Sequence, residues 1–279
     1  MSLDIEQALS DGFDRLLTQP GAYLVGAFLA LGFANTVVVQ SLMDVVFEFV
    51  LEEYGPQMAE TGSLDQFQNE VGVLPFAVSL PPTLLAVAFV ALAFVGEALG
   101  IVGVRVFAAS DPNRLPDGLT DDLPLATVNG FLAGIFVFVI VTIGFVVGLI
   151  GLIIGGFVLA TFLAVSLVFV RQAVALEDEN AISALSESWS VTKGNRWYLF
   201  GLLIILGVIG GVIGFVSGLL GGYLGPTVNA LVSVVVGAVV GVFGIGVTTR
   251  AYQQLRTGQA TPAGVEEEYE EPGGQNDVY

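Results

Sequence analysis

The feature that most constrains this chain is a run without a single charged residue between Asn129 and Arg171. As one helix rising 1.5 Å per residue, the run would be about 60 Å long, roughly twice the hydrocarbon thickness of a bilayer. It must therefore turn back on itself within a membrane. We place the turn at four glycines, Gly148, Gly151, Gly155 and Gly156.

Six segments of the chain are long and apolar enough to cross a bilayer, which requires about 20 residues in a helix. Pro20 opens the first, because its fixed φ suits a first helical turn, and Gly225-Pro226 separates the last two. The predicted spans are 21–42, 82–106, 129–149, 152–171, 197–221 and 227–247. The predicted fold is all-α, a polytopic membrane domain over residues 20–250 with six transmembrane helices and short cytoplasmic interfacial helices.

The basic residues test this count independently, because cytoplasmic loops of membrane proteins are enriched in Lys and Arg. In a six-span arrangement all eight fall on one side: Arg15, Arg105, Arg114, Arg171, Lys193, Arg196, Arg250 and Arg256. A five- or seven-span arrangement would place some of these basic residues on each side of the membrane. We therefore expect a multi-pass protein of the cell membrane with both termini in the cytoplasm.

Two short amphipathic helices precede spans one and five. The first lies within residues 1–19, where the apolar residues on one helix face are Ile5, Leu9, Phe13 and Leu16. In the second, the apolar face is formed by Ile182, Leu185 and Trp189. Each leads into a Tyr-Leu-x-Gly segment, at Tyr23 and at Tyr198, so the two stretches are either an internal repeat or a coincidence. At the other end, residues 251–279 are acidic and predict a disordered cytoplasmic tail.

The composition excludes several classes of function. A net charge of −18, from 26 acidic and 8 basic residues, argues against nucleic acid as a partner, because phosphates need Lys and Arg. The chain has no Cys and no His, which removes thiolate nucleophiles, disulfides, haem ligation by His and the usual zinc sites. We therefore expect no metal, no cofactor and no catalytic residue.

One cytoplasmic segment carries a more specific pattern. Glu177-Asp178 is followed by Ser188-Trp189 and then by Lys193-Gly194-Asn195-Arg196-Trp197. This pattern resembles the membrane domain found in some glycerophosphoryl diester phosphodiesterases, and that of related stand-alone six-span bacterial and archaeal proteins. The acidic balance is similar to that of haloarchaeal proteins, so we expect a halophilic archaeal source.

The resemblance implies a membrane module by itself. The phosphodiesterase activity of that family belongs to a separate soluble barrel that uses His and metal-binding carboxylates. This chain has no His and no room for such a barrel outside its spans. The resemblance therefore transfers no catalytic residue.

Glu97 is the main candidate for a functional residue inside the membrane. A carboxylate within a span is costly and usually marks a functional site. Arg105 on the same span or Arg171 on span four could pair with it. The alternatives are a structural ion pair, or a span that ends early and leaves Glu97 in water.

Three more carboxylates, Asp44, Glu48 and Glu52, recur every four residues and share a helix face beyond span one. They are either a cation site or, as we favour, the solvated face of an amphipathic extension.

Glycines recur at helical spacing along the spans. Gly210, Gly214, Gly218 and Gly222 form a line in span five, and the same spacing links Gly144 to Gly148, Gly151 to Gly155 and Gly237 to Gly241. Small residues let membrane helices approach closely. We expect packing within the chain, with a homodimer seam on span five as the alternative.

These observations leave three hypotheses for function. The one we favour is a non-enzymatic membrane module that binds membrane lipid or a partner protein at the cytoplasmic interface, through Trp189 and Trp197. The alternative is a small-solute or ion permease with Glu97 as its coupling carboxylate. An intramembrane enzyme is the least supported, because the chain lacks the usual base and nucleophile.

Overall fold

The structure is a computed structural model, and it describes residues 3–260 apart from residue 66, residues 68–72 and residue 152. Nine helices follow one another in the described part of the chain. They are α1 (Ile5–Leu16), α2 (Gln19–Thr61), α3 (Pro82–Ala108), α4 (Leu123–Gly151), α5 (Ile153–Ser166), α6 (Val170–Glu177), α7 (Ala181–Thr192), α8 (Arg196–Leu224) and α9 (Pro226–Ala260).

Six helical stretches are long and apolar enough to cross a membrane, which confirms the predicted six-span all-α fold. They cover residues 19–61, 82–108, 123–150, 154–177, 196–219 and 226–257. Large apolar side chains such as Ile150, Phe157 and Phe215 are mostly exposed on these helices. Apolar surface on this scale has no place in water, so hydrocarbon is the solvent around the bundle.

Consecutive spans run in opposite directions, so their ends gather at two levels. At one level α2 begins, α3 ends, α4 begins, α6 ends, α8 begins and α9 ends. This level holds most of the basic side chains and the helices α1 and α7, and we call it the basic end. The other level, the opposite end, holds the turns between α4 and α5 and between α8 and α9.

The uncharged run folds back at the predicted glycines. A Cβ added to Gly148 would lie 2.6 Å from the carbonyl oxygen of Gly155 and 2.6 Å from the Cα of Gly156. Only hydrogen fits at that distance, so α4 and α5 touch through their backbones. In this hairpin the glycines allow the close approach that small residues give membrane helices.

The glycine line of span five behaves differently. A Cβ at Gly210 would lie 3.3 Å from Val240, whereas a Cβ at Gly214 or Gly218 would meet no atom within 4 Å. The expectation that this line packs within the chain is therefore wrong at Gly214 and Gly218, which lie on an open helix face. Gly237 and Gly241 on α9 are also uncrowded.

Two predicted boundaries change. Helix α2 continues past residue 42 to Thr61, capped by Gly62 with φ +72°, and this extension carries Glu48 and Glu52 as exposed side chains. Helix α9 continues to Ala260, so the predicted start of a disordered tail at residue 251 is wrong. Tyr252 and Leu255 are buried there against α1 and α7, which hold this last part of the helix in place. The rest of the predicted tail, residues 261–279, lies outside the described residues.

The two short helices at the basic end are packed more deeply than interfacial helices would be. Asp4 caps α1 by accepting a hydrogen bond from the amide of Gln7, and Asn180 caps α7 in the same way. Gly12 of α1 lies against Val247 of α9, at a distance that leaves no room for a Cβ. Each helix thus has one side on the bundle and one side outward, where Phe13 and Ile182 are exposed.

Candidate functional site

Span four is interrupted at the basic end. The helix predicted over residues 152–171 stops at Ser166 and restarts at Val170 as α6. A break inside a membrane protein needs new partners for the freed backbone groups. Helix α7 supplies them through two fully buried hydroxyls, Ser188 and Thr192.

The hydroxyl of Ser188 makes two of these bonds. It donates to the carbonyl oxygen of Ser166 at 3.1 Å and accepts from the amide of Phe169 at 3.1 Å. The Thr192 hydroxyl donates to the same Ser166 carbonyl at 3.2 Å. The Ser188 of the sequence pattern is therefore a structural residue that joins α7 to the broken span.

The rest of the pattern turns the chain from α7 into α8. Gly194 has φ +88°, a left-handed conformation that glycine adopts readily and that reverses the chain here. The side-chain oxygen of Asn195 accepts a hydrogen bond from the amide of Leu3 at 3.4 Å, which ties the N-terminus to this turn. Lys193 is exposed.

Arg196, the first residue of α8, lies between two aromatic rings. Its guanidinium carbon is 4.3 Å from the centroid of Trp189 and 4.7 Å from that of Phe162. The Nε and Nη2 atoms of this guanidinium are buried and have no hydrogen-bond partner among the described residues. The arginine is thus held in place by cation–π contacts, with N–H groups still unused.

An apolar groove runs from Arg196 along the outside of the bundle. It lies between α5 and α8, has a volume of about 620 Å³, and is partly open to the outside. Its walls are mostly apolar and aromatic: Phe157, Val158, Phe162, Val165, Trp197 and Phe200. Trp197, in the first turn of α8, is 84% exposed, and tryptophan is enriched where membrane helices meet the headgroup region.

The cations at the mouth of this groove have no acidic partner among the described residues. Neither Lys193 nor Arg196 forms a salt bridge within the part of the chain that the structure describes. Glu177 and Glu187 both pair with Arg256, at 2.6 and 2.7 Å. The N-terminus of α8 adds a partial positive charge at the mouth of the groove.

Glu97 pairs with Arg171, one of its two predicted partners. The guanidinium donates from Nε to Oε1 at 3.1 Å and from Nη2 to Oε2 at 2.8 Å. Two glycines make room for the pair: Gly130 lies against the Glu97 carboxylate and Gly100 against the Arg171 guanidinium. The Glu97 side chain is 12% exposed and that of Arg171 is 44% exposed.

Arg105 does not take part in this pair. It donates to the carbonyl oxygens of Ala175, Leu119 and Asp121 at 3.1, 3.1 and 2.7 Å. It also lies 3.8 Å from Asp178, the residue that ends α6 with φ 51°. Arg105 therefore fastens the loops of the basic end to α3 and α6.

The Glu97–Arg171 pair lines a partly open cavity of about 430 Å³, bordered by spans two, three, four and six and by Leu206 of span five. Gln172 also lines it and is only 3% exposed. Its amide nitrogen donates to the Thr248 hydroxyl at 3.0 Å, whereas its Oε1 is buried without a partner among the described residues. Sequence reasoning missed Gln172, although it is the only amide side chain in span four.

A second cavity, of about 820 Å³, lies towards the opposite end between α2, α3 and α9. Five uncharged polar side chains line it: Asn35, Thr36, Gln40, Asn229 and Ser233. The sequence analysis overlooked this set because its members lie on two helices that are far apart in the chain.

The cation-site alternative for Asp44, Glu48 and Glu52 gains no support. No group of three or more potential metal ligands occurs among the residues that were described. Glu48 and Glu52 face outward instead.

Comparison with curated proteins finds no match, and comparison with solved structures finds none either. The resemblance to the membrane domain of glycerophosphoryl diester phosphodiesterases and the halophilic archaeal source both stay predictions. A family model does match residues 3–255, almost the whole described chain. This multi-pass membrane protein therefore belongs to the family described as Domain of unknown function (DUF7847).

Proposed function

We propose that the chain is a non-enzymatic membrane module that holds an anionic phospholipid in the groove between α5 and α8. The observation that carries the proposal is Arg196, whose guanidinium has buried, unused N–H groups at the mouth of an apolar groove. The site would lie at the cytoplasmic interface if the basic end faces the cytoplasm, as the distribution of Lys and Arg favours.

The groove suits an acyl chain. It is open to the outside of the bundle and is lined by side chains such as Phe157, Val158 and Phe200, which offer no hydrogen bond to a solute. Thr161 is the one hydroxyl on its wall. A hydrocarbon chain would fill it without leaving a polar group unsatisfied.

The mouth of the groove suits a phosphate. Arg196, exposed Lys193 and the first-turn amides of α8 supply positive charge and hydrogen-bond donors at one end of the apolar walls. Phosphate prefers both arginine and helix N-termini. In a chain of net charge −18, two cations without an acidic partner favour an anionic ligand over a basic protein segment.

The permease hypothesis keeps one supporting observation, namely that Glu97 lines a cavity between the spans. Its carboxylate, however, already receives two hydrogen bonds from Arg171, so it is not a free coupling group in this conformation. The lipid site is therefore the better supported of the two functions.

The test is native mass spectrometry of the full chain released from nanodiscs that contain phosphatidylglycerol and phosphatidylcholine. We expect the wild type to retain phosphatidylglycerol at a fixed ratio and the Arg196→Gln variant to retain about tenfold less, because a charged hydrogen bond contributes roughly 1.5–3 kcal/mol. Arg196→Lys should restore only part of the retention, since lysine cannot stack as a flat guanidinium does.

The matched control is Arg114→Gln, which removes the same charge from an exposed loop residue paired with Asp117. It should leave phosphatidylglycerol retention unchanged. Equal losses in the two variants would mean that lipid binding follows net charge alone and would contradict the assignment to the groove. A partner protein retained in place of lipid would support the partner hypothesis instead.

A further inference from the structure

The cavity beside Glu97 has a different lining from the groove between α5 and α8. It lies between the spans and is partly open to the outside, and three charged or amide side chains meet in it: Glu97, Arg171 and Gln172. Charged and polar side chains are costly within a membrane bundle, and they usually mark a functional site.

One acceptor atom in this set has no hydrogen-bond partner among the described residues. The Oε1 atom of Gln172 is buried and accepts no hydrogen bond from any described residue, although the Nε2 atom of the same amide is bound to Thr248. A buried acceptor without a donor is destabilising, so a group that donates a hydrogen bond to it would bind favourably. The free acceptor therefore points to a ligand that carries N–H or O–H groups.

The charges of the cavity narrow the class of ligand further. Glu97 and Arg171 sum to zero charge. A lone cation would be repelled by Arg171 and a lone anion by Glu97, and an apolar molecule would satisfy neither group. A small molecule with a carboxylate at one end and an ammonium group at the other matches both charges at once.

We propose that this cavity binds a small zwitterionic solute of the amino-acid type. Its carboxylate replaces Glu97 on the guanidinium of Arg171, which takes carboxylates in a two-point geometry. Its ammonium group donates to the Glu97 carboxylate and to Oε1 of Gln172. The cavity volume of about 430 Å³ is ample for such a molecule.

The second cavity adjoins this one along α3 and α9. On α3, Gly96 lines the larger cavity and Glu97 lines the smaller one. On α9, Ala238 lines the larger cavity and Gly241 lines the smaller one. The two cavities are therefore lined by neighbouring parts of the same two helices. Asn35, Thr36 and Gln40 would solvate a zwitterion in the larger space without binding it by charge.

The experiment is equilibrium binding of radiolabelled L-alanine to the full chain in nanodiscs, with acetate and methylammonium as competitors that each carry one of the two charges. We expect unlabelled L-alanine to displace the label at a concentration at which acetate or methylammonium does not. Displacement by either single-charge probe as readily as by L-alanine, or no binding of L-alanine, would overturn the proposal.

The variant that tests the site is Gln172→Leu, which removes the free acceptor but leaves the ion pair in place. Affinity for L-alanine should fall about tenfold. Gln7→Leu, the same substitution on the exposed face of α1, is the matched control and should bind as the wild type does. Unchanged affinity in a folded Gln172→Leu protein would contradict the assignment of this cavity.

A variant that does not fold would also lose affinity for L-alanine. The thermal unfolding midpoint of each protein is therefore measured together with that affinity. If Gln172→Leu fails to fold, Gly130→Ser provides the second test, because a side chain at residue 130 would push the Glu97 carboxylate from its seat. The Arg196→Gln protein should bind L-alanine normally, which separates this proposal from the lipid site. Affinity lost in that variant as well would contradict a site confined to the cavity.

Discussion

Ser188 shows how a single hydroxyl can direct the course of a membrane helix. By donating to Ser166 and accepting from Phe169, it satisfies both sides of the break between α5 and α6. The break in turn sets the direction of α6, which carries Arg171 towards Glu97 and Gln172 towards Thr248. A residue of the sequence pattern thus supports the cavity beside Glu97 without lining it.

Replacing this hydroxyl should therefore destabilise the protein. Ser188→Ala leaves the amide of Phe169 without its partner, and we expect a loss of about 1–3 kcal/mol in the free energy of unfolding. Unfolding in a titration with a denaturing detergent measures the change.

Ser186→Ala on the exposed face of α7 is the control and should lie within about 0.5 kcal/mol of the wild type. Equal stability of the Ser188 and Ser186 variants would show that the break does not depend on this hydroxyl.

The sequence alone identified some residues of the candidate site and missed others. Trp189 and Arg196 were marked by their motif, and Arg171 was predicted as a partner of Glu97. Phe162, which completes the stack on Arg196, lies 34 positions earlier in an unbroken apolar run and carries no local signal. Cation–π geometry depends on which helices are neighbours, and the order of residues does not give that.

At the scale of elements, the hairpin of α4 and α5 is the part that the sequence predicts best. The length of the uncharged run requires a turn, and glycines mark where it lies. Its two helices then pack through backbone atoms, since Gly148 lies against Gly155 and Gly156.

The hairpin provides a direct test of that packing. In Gly148→Ala the new methyl group would overlap the backbone of α5, so the two helices must move apart, at a cost of about 1–3 kcal/mol of unfolding free energy. The same detergent titration gives this value.

Gly134→Ala is the matched control on α4, because a Cβ there meets no atom within 4 Å. Its stability should equal or slightly exceed that of the wild type, since alanine favours helix more than glycine does. Destabilisation of both variants to the same degree would indicate a general effect of side chains on α4 rather than close helix contact.

The whole molecule has a pronounced asymmetry of charge between its two ends. The basic end contains the ion pairs of Arg250 with Asp11, of Arg256 with Glu177 and Glu187, and of Arg105 with Asp178. The opposite end has acidic residues such as Glu48 and Glu52 and no basic residue within the described part of the chain. By the usual bias of cytoplasmic loops, the basic end should face the cytoplasm.

The absence of cysteine in the sequence makes this orientation easy to test. Single cysteines are introduced in intact cells at Ser63, an exposed residue of the opposite end, and at Asn113, an exposed residue of the basic end. We expect a membrane-impermeant maleimide to label Ser63→Cys directly and Asn113→Cys only after permeabilisation. The reverse pattern would place the lipid groove at the outer interface and contradict the predicted topology.

The sequence by itself determined the class, the six spans and their alternation, because length, hydropathy and charge act along the chain and need no knowledge of neighbours. It also marked the turn before span five. The tertiary structure alone decided which side chains meet. Arg196 contacts Phe162, Gln172 bonds to Thr248, and Glu97 pairs with Arg171 instead of Arg105. The physical reason is that lipid imposes the same apolar outer surface on every span, so contacts between spans depend on shape and on a few polar groups whose partners lie far away in the sequence.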